Sequence, residues 1–398
     1  MSIAQLLRPE VQAFIAEHRH DDPVQLVLSA HKYPDIPVKE VAAQLQAGRK
    51  ARQKFPEWYQ QQHIIFPMSL SVEQASSEAT ARYKTQLLAG QELVDLTGGM
   101  GIDLYYMSKS FQQATYVEQQ EELVAIARHN FETLQAQHIN CVHSSSEVFL
   151  QNLDHKVDAI YLDPARRDEH KRKVFRLEDC TPNVVELQDE LLKKSEHVLI
   201  KTAPLLDIQL ALQALKSVEK VIVIAAEQEC KEVLYLLGAK AKVQPIIETV
   251  HLAGDKIQQF NFTKEGEAET DVSYNVPQHY LYESNAALLK AGAFKSVAQV
   301  YGLAKLHPNS HLYTSAELVD DFPGRIFRVI EVVKYSKKAI KAAVPSGKAN
   351  ITTRNFPDSV LQIRKKTGLK DGGNTYIFAT TDLDGKYILL VSEKLSVY

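Results

Sequence analysis

Hydrophobic residues recur along this 398-residue chain in more than one rhythm. Up to about residue 90 they fall at helical spacing, as in "VKEVAAQLQAGRKARQKFPEWY" and "VEQASSEATARYKTQLLAG". In the second stretch Ser71 and Gln74 have the spacing of a capping box, and Gly90 suits its C-terminal stop. From Glu92 short apolar runs alternate with amphipathic ones. "ELVDLT", "ATYVE", "VDAIYLD", "HVLIKTA" and "KVIVIAA" predict strands, and "EELVAIARHNFETLQ", "VVELQDELLKK" and "DIQLALQAL" predict helices between them. This alternation implies an α/β, doubly wound parallel sheet with right-handed crossovers. "KVQPIIETVHLAGDKIQQFNF" then predicts two strands around an Ala-Gly-Asp turn, and a fresh helix is expected near "ESNAALLKAGAF". Beyond about Arg325, strand-like "RIFRVIEVV" and "YIFATT" and helix-like "SVLQIRKKTG" predict a small α+β module.

Charge changes the picture more than composition does. The net charge of −3 hides an asymmetry: Arg325 to Lys370 holds twelve Lys and Arg against two acids. That is a local charge of about +10, the imbalance expected of a polyanion-binding module. The three cysteines, Cys141, Cys180 and Cys230, are far apart and odd in number, which fits a reducing cytosol and gives no disulfide frame or zinc site. No apolar run reaches the roughly 18 residues of a membrane span, and the start carries no signal-peptide pattern. A cytoplasmic protein without membrane spans or metal is the expectation.

"ELVDLTGGMGIDLYYMS" predicts a strand, a glycine turn and a helix start. Thr97, Gly98, Gly99 and Gly101 would bring backbone close to a ligand at a helix N-terminus. A dinucleotide fingerprint would place its third glycine at Leu104, so that pattern is broken. Asp95, just before the turn, would repel a pyrophosphate but suits an ammonium or sulfonium group. Asp103 adds a second carboxylate, placed also to complement the helix dipole. Glu118, ending "ATYVE", sits where an acid accepts hydrogen bonds from ribose hydroxyls. Together these favour S-adenosylmethionine over a nicotinamide cofactor.

"VDLTGGMGID", "YVEQQEELVAIARHNF" and "YLDPARR" resemble motifs of the class I S-adenosylmethionine-dependent methyltransferases. More narrowly, "YLYESNAALLKAGAF", "SHLYTS", "FPGRIF" and "KANITTRNFPDSV" resemble a bacterial group with a small ferredoxin-like segment and a C-terminal THUMP-like domain. Ser284 departs from that pattern, standing where proline is expected. Helical spacing gives a helical region over 1–90; the resemblance, which runs from about Pro67 onward, implies a Rossmann-like methyltransferase domain over 91–275, a ferredoxin-like connection over 276–324 and a THUMP-like module over 325–398. It also implies RNA as partner.

Asp163-Pro164-Ala165-Arg166 resembles the D-P-P-[YFWR] tetrapeptide of nucleic-acid methyltransferases. An amine conjugated with a ring is a poor nucleophile until an acceptor, aimed by a rigid proline turn, takes its N–H bond. Asp163 is expected in that role, with Pro164 and Arg166 beside it. Arginine at this place is reminiscent of ring-carbon enzymes that use a cysteine nucleophile, for which Cys180 is the candidate nearby. Arg167, Lys171, Arg172 and Lys173 follow directly and could hold substrate phosphates, as could Lys348, Asn350, Arg354, Arg364, Lys365 and Lys366 in the basic module. Ser77 and Thr80 are placed to close over the cofactor's methionine end, and Ser145 stands where an acid usually meets adenine. Phe55, Trp58 and Tyr59 beside Arg49, Lys50, Arg52 and Lys54 suggest either RNA contact or helix packing. The reading is direct methylation of a base in structured RNA (tRNA or rRNA). A protein or small-molecule substrate, or an RNA-binding protein with a vestigial cofactor fold, are the alternatives.

Overall fold

The structure, a computed structural model, describes residues 3–67, 69–166, 176–240, 244–254 and 256–395. The chain divides into two compact units, Met1–Lys220 with Glu232–Lys242 and Val221–Lys231 with Val243–Tyr398.

In the first unit, helices Pro9–Glu17, Pro23–Leu28 and Val38–Lys54 close around Val11, Leu26, Val41, Leu45 and Ile65. The long helix stops at Lys54 because Pro56 disfavours helical backbone at Phe55 (φ −137°). Phe55 and Trp58 are fully buried, Lys50 pairs with Glu73, and Lys54 donates to the Val72 carbonyl at 3.1 Å. Packing therefore accounts for most of that aromatic–basic stretch. The next predicted helix is two, Ser69–Gln74 and Glu78–Lys84, broken where Ser77 turns to cap the second. Gly90 is not a helix stop but the first residue of a strand. A Cβ there would lie 2.6 Å from Asp158 Cγ, and the Asp158 carboxylate accepts the Gln91 and Glu92 N–H groups at 2.7 and 2.8 Å.

The strands are β1 (Gly90–Asp95), β2 (Phe111–Glu118), β3 (Ile139–His143), β4 (Val157–Leu162), β5 (Ala165–Arg166), β6 (Cys180–Thr181), β7 (Ser195–Thr202), β8 (Val218–Ala226) and β9 (Glu229–Gly238). Within this unit the order is β9-β7-β4-β1-β2-β3, parallel from β7 to β3. The parallel sheet is the one expected. β9 departs from it by running antiparallel to β7, between β7 and β8, after a tight turn in which Glu227 adopts φ +58°. The chain builds outward from β1 in one direction and from β4 in the other. Their carboxyl ends thus lie side by side at the point where strand order reverses, the place where such sheets hold ligands. β5 and β6 form a separate antiparallel ribbon, Ala165 opposite Thr181 and Arg166 opposite Cys180.

The second unit contains the expected hairpin, β10 (Ile246–Ala253) and β11 (Lys256–Phe262). Its other strands are β12 (Tyr280–Ser284), β13 (Ala304–Lys305), β14 (Leu312–Ser315), β15 (Gly324–Lys334), β16 (Asn350–Arg354), β17 (Thr375–Thr381) and β18 (Tyr387–Lys394). They form one sheet in the order β13-β14-β12-β15-β18-β17-β16. Helices Lys337–Ala343 and Val360–Thr367 pack Ile340 and Ile363 onto Ile377, Leu389 and Val391. Ser359 and Gln362 form a full capping box on the second of these, and Gly368 at φ +80° ends it. Ser284 leaves the nearby helix start intact, since Asn285 caps Ala286–Ala291 by accepting the Leu288 N–H at 3.0 Å. Among the described residues no helix is long and apolar enough to cross a membrane.

Candidate active site

Of the predicted site residues, Asp95, Thr97, Gly99, Glu118 and Asp163 lie at the ends of β1, β2 and β4. Thr97 ties two of these ends together. Its Oγ1 accepts the Asp163 N–H at 2.6 Å and lies 3.3 Å from Asp95 Oδ1, which also accepts the Thr97 N–H at 2.9 Å. Glu118 accepts the Gly99 N–H at 3.0 Å and the Gln120 N–H at 2.9 Å. A carboxylate offers about four lone-pair sites, so acceptor capacity remains for two ribose hydroxyls.

The glycines divide by role. A Cβ at Gly98 would enter the Tyr116 ring at 2.2 Å, and one at Gly101 (φ +82°) would meet Phe131 at 2.6 Å. Both are demanded by aromatic packing beneath the turn rather than by a ligand. At Gly99 (φ +53°) a Cβ would meet nothing nearer than the Thr97 carbonyl at 3.7 Å, so this backbone face stands open.

Below the strand ends lies a cluster of buried charge. Lys84, fully buried, bridges Asp103 Oδ1 at 2.8 Å and Glu232 Oε1 at 2.7 Å. Ser76 donates to Asp103 Oδ2 at 2.7 Å and receives the Lys84 ammonium at 3.1 Å, and the Tyr161 hydroxyl donates to the same Asp103 oxygen at 2.7 Å. Lys201 Nζ sits 2.6 Å from Asp163 Oδ2. Asp163 is the outward member, its side chain 35% exposed against 9% for Lys201.

The electrostatics follow from that layout. Burial would raise the Asp103 carboxyl, but Lys84 and Lys201 outweigh it and hold it well below the carboxylate range. Burial alone would lower Lys201, but Asp163, Asp103 and Glu232 push it above the ordinary lysine value. Asp163 is raised by burial, against the pull of Lys201. Asp95 is pushed up to about 8, by burial first and by the Asp103 and Asp163 charges in addition, despite the Thr97 hydrogen bonds. Among the described residues four carboxyls thus share two ammonium groups, and Asp95 keeps its proton up to about pH 8. A sulfonium carrying an ammonium group fits such a site; a pyrophosphate does not.

Several expectations are adjusted. Asp103 is saturated by Lys84, Ser76 and Tyr161 and acts as an internal counter-charge. Ser77 caps its helix by accepting the Thr80 N–H at 3.3 Å, and buried Thr80 donates to the Ser77 carbonyl, whereas the neighbour Ser76 reaches the acids. Ser145 likewise caps Ser146–Asn152 through the Val148 N–H at 3.2 Å. Pro164 is buried behind Asp163, and Arg166 contributes backbone to β5. Arg167, Lys171, Arg172 and Lys173 fall outside the described residues. In the basic module, Arg354 is held by buried Glu283 at 2.9 Å, Arg364 by Asp371, Lys366 by Asp358 at 2.6 Å, and Asn350 donates to the Gly373 carbonyl at 2.8 Å. Only Lys348 and Lys365 of that predicted set are exposed without an ion pair among the described residues. Lys84, Lys201 and Glu232 are not among the residues that the sequence singled out. Their signal is a lone charge breaking an apolar run, as in "VLIKT" and "KEVLYLL".

The family model described as conserved hypothetical protein 95 matches residues 60–222, a ferredoxin-like domain matches 280–323, and a THUMP domain-like model matches 324–394. An uncharacterized S-adenosylmethionine-dependent methyltransferase of Mycobacterium tuberculosis (strain CDC 1551 / Oshkosh) is 23% identical over 312 residues, 75% of this chain and 80% of that protein. A crystal structure of a candidate methyltransferase from Porphyromonas gingivalis W83 is 34% identical, with a TM-score of 0.88 and 97% of each chain covered. The chain belongs to the S-adenosylmethionine-dependent methyltransferases. In this methyltransferase the open backbone face at Gly99 and the Glu118 and Asp95 carboxyls could hold the cofactor.

Proposed function

We propose that this methyltransferase transfers a methyl group directly to a base nitrogen in structured RNA (tRNA or rRNA), with Asp163 as acceptor of the substrate N–H bond. The bound cofactor supplies a sulfonium methyl, whose S–C bond breaks with its electron pair left on sulfur. Glu118 would hold the ribose hydroxyls, and Asp95 the cationic end. The groups at the end of β4 are acceptors: Asp163 Oδ1 and the Asp163 and Pro164 carbonyls. The Asp163 N–H is already donated to Thr97, and proline has none. Such a mouth suits a group that presents a donor, as an amino group does. A covalent route through Cys180 has less support, because that residue is buried within the β5–β6 ribbon, on β6.

The observation that carries the RNA reading is the cationic surface of the second unit. Of the twelve Lys and Arg between Arg325 and Lys370, four are paired with acids. Arg328, Lys334, Lys337, Lys338, Lys341, Lys348, Lys365 and Lys370 are exposed and without an ion pair among the described residues. Unpaired lysines cost little in water and gain by releasing counterions from a phosphate backbone. The odd number and wide spacing of the three cysteines are in keeping with a cytoplasmic site of action.

The test is transfer of labelled methyl groups from S-adenosylmethionine into RNA, protein and metabolite pools of cells lacking the protein. Label confined to RNA, and reduced several-fold for Lys348→Glu/Lys365→Glu at physiological salt, is the expected result. Label in protein or metabolites, unaffected by those substitutions, would overturn the RNA reading.

A further inference from the structure

We propose that Lys201 is a positioning residue of the methyl-transfer reaction: it holds Asp163 by Oδ2 and balances its charge, leaving Oδ1 to receive the proton of the methyl acceptor. This rests on the reading of Asp163 as that acceptor.

The geometry fixes Asp163 at both ends. Its backbone N–H is bound by Thr97 Oγ1 at 2.6 Å and its Oδ2 by Lys201 Nζ at 2.6 Å, so turning about Cα–Cβ would break a buried contact. Lys201 has little freedom itself. It is buried in β7 between Ile200 and Thr202, both within the core, with the Asp163, Asp103 and Glu232 charges acting on it. Lys84 meets the demand of Asp103 and Glu232 by direct contact at 2.8 and 2.7 Å, which leaves Lys201 for Asp163.

The charges around Asp163 explain why a cation is needed there. It is faced by Asp95 from β1, Asp103 from helix Ile102–Met107 and Tyr161 from β4. Lys84 from helix Glu78–Lys84, Lys201 from β7 and, through Lys201, Glu232 from β9 complete its surroundings. Lys201 holds the Asp163 carboxyl down against burial and the Asp103 charge, so without Lys201 that carboxyl would move further up, toward a donor rather than an acceptor. In the reaction the acceptor nitrogen forms its new N–C bond with its lone pair. The proton it then sheds passes to Asp163 Oδ1, and Lys201 keeps its own throughout.

The experiment compares wild type with Lys201→Met, and with Lys201→Met/Glu232→Gln, which removes one charge of each sign and protects folding. In whichever pool wild type labels, kcat of Lys201→Met should fall ~10–100-fold at pH 7. Its acid limb should move to higher pH, with partial recovery by pH 9 and by Lys201→Arg. An equal loss at every pH, or an unmoved profile, would overturn the proposal. Label in protein instead of RNA would overturn the substrate reading while leaving this one under test. A second arm needs no substrate. The Tm penalty of Lys201→Met should grow from pH 5 to pH 8, because an acid with a raised folded pKa loses stability as pH rises. Adding Asp163→Asn should remove that growth. A penalty independent of pH, simply additive with Asp163→Asn, would contradict the role.

Discussion

Two clusters of buried charge invite comparison, one in each unit. In the second unit Glu283, 2% exposed, receives Arg325 Nε at 2.8 Å and Arg354 Nη2 at 2.9 Å, with the Arg325 guanidinium over the Phe327 ring. Two cations enclose one acid, its oxygens both engaged. In the first unit Asp95, Asp103, Asp163 and Glu232 share Lys84 and Lys201 among the described residues, and Asp163 opens to solvent. The Glu283 cluster is complete as it stands and joins β12, β15 and β16. The other is complete only when something positive arrives. An excess of one sign at the carboxyl ends of parallel strands marks a binding site, whereas an enclosed acid marks architecture.

Substitutions can break this contrast, in descending order of effect. Asp163→Asn should lower kcat by ~10²–10⁴-fold while cofactor affinity, read by calorimetry, stays near wild type. Glu283→Gln should act on folding alone. Leaving two guanidiniums half-buried without their acid should cost about 3–5 kcal/mol in denaturant unfolding, with cofactor affinity unchanged. Gly98→Ala should destabilise by about 1–3 kcal/mol, since its Cβ would enter the Tyr116 ring, whereas Gly99→Ala should act on cofactor binding through the open face. Lys348→Glu/Lys365→Glu should weaken RNA binding by several-fold and flatten its salt dependence by about two units of slope. If Glu283→Gln weakened cofactor binding as much as Asp95→Asn, the contrast between the clusters would fail.

Much of this was legible in the sequence, for identifiable reasons. "VDLTGGMGID" and "YLDPAR" are contiguous, so turn, acid and strand end announce themselves together. The strands β1, β2, β4, β7 and β8 are apolar runs bounded by polar residues, and the hairpin β10–β11 is marked by its glycine turn. The ion cluster was not legible, because Lys84, Asp103, Asp163, Lys201 and Glu232 meet only after the sheet has formed. Arg354 shows the converse limit. Its local surroundings are basic and polar, yet a glutamate 71 residues earlier captures it. Local charge density predicted a cationic surface, but which lysines remain free depends on partners distant in sequence.

The most direct test of the central claim is calorimetric titration of S-adenosylmethionine into wild type and Asp95→Asn between pH 6 and pH 9. Asp95, held protonated up to about pH 8 in the ligand-free protein, must ionise to meet the incoming cation. Wild-type affinity should therefore rise with pH by up to about tenfold per unit below pH 8 and then level, with proton release that shrinks across the same range. Asp95→Asn should bind more weakly and lose both effects. Wild-type affinity flat across this range, or an Asp95→Asn variant with the same pH dependence as wild type, would contradict the account.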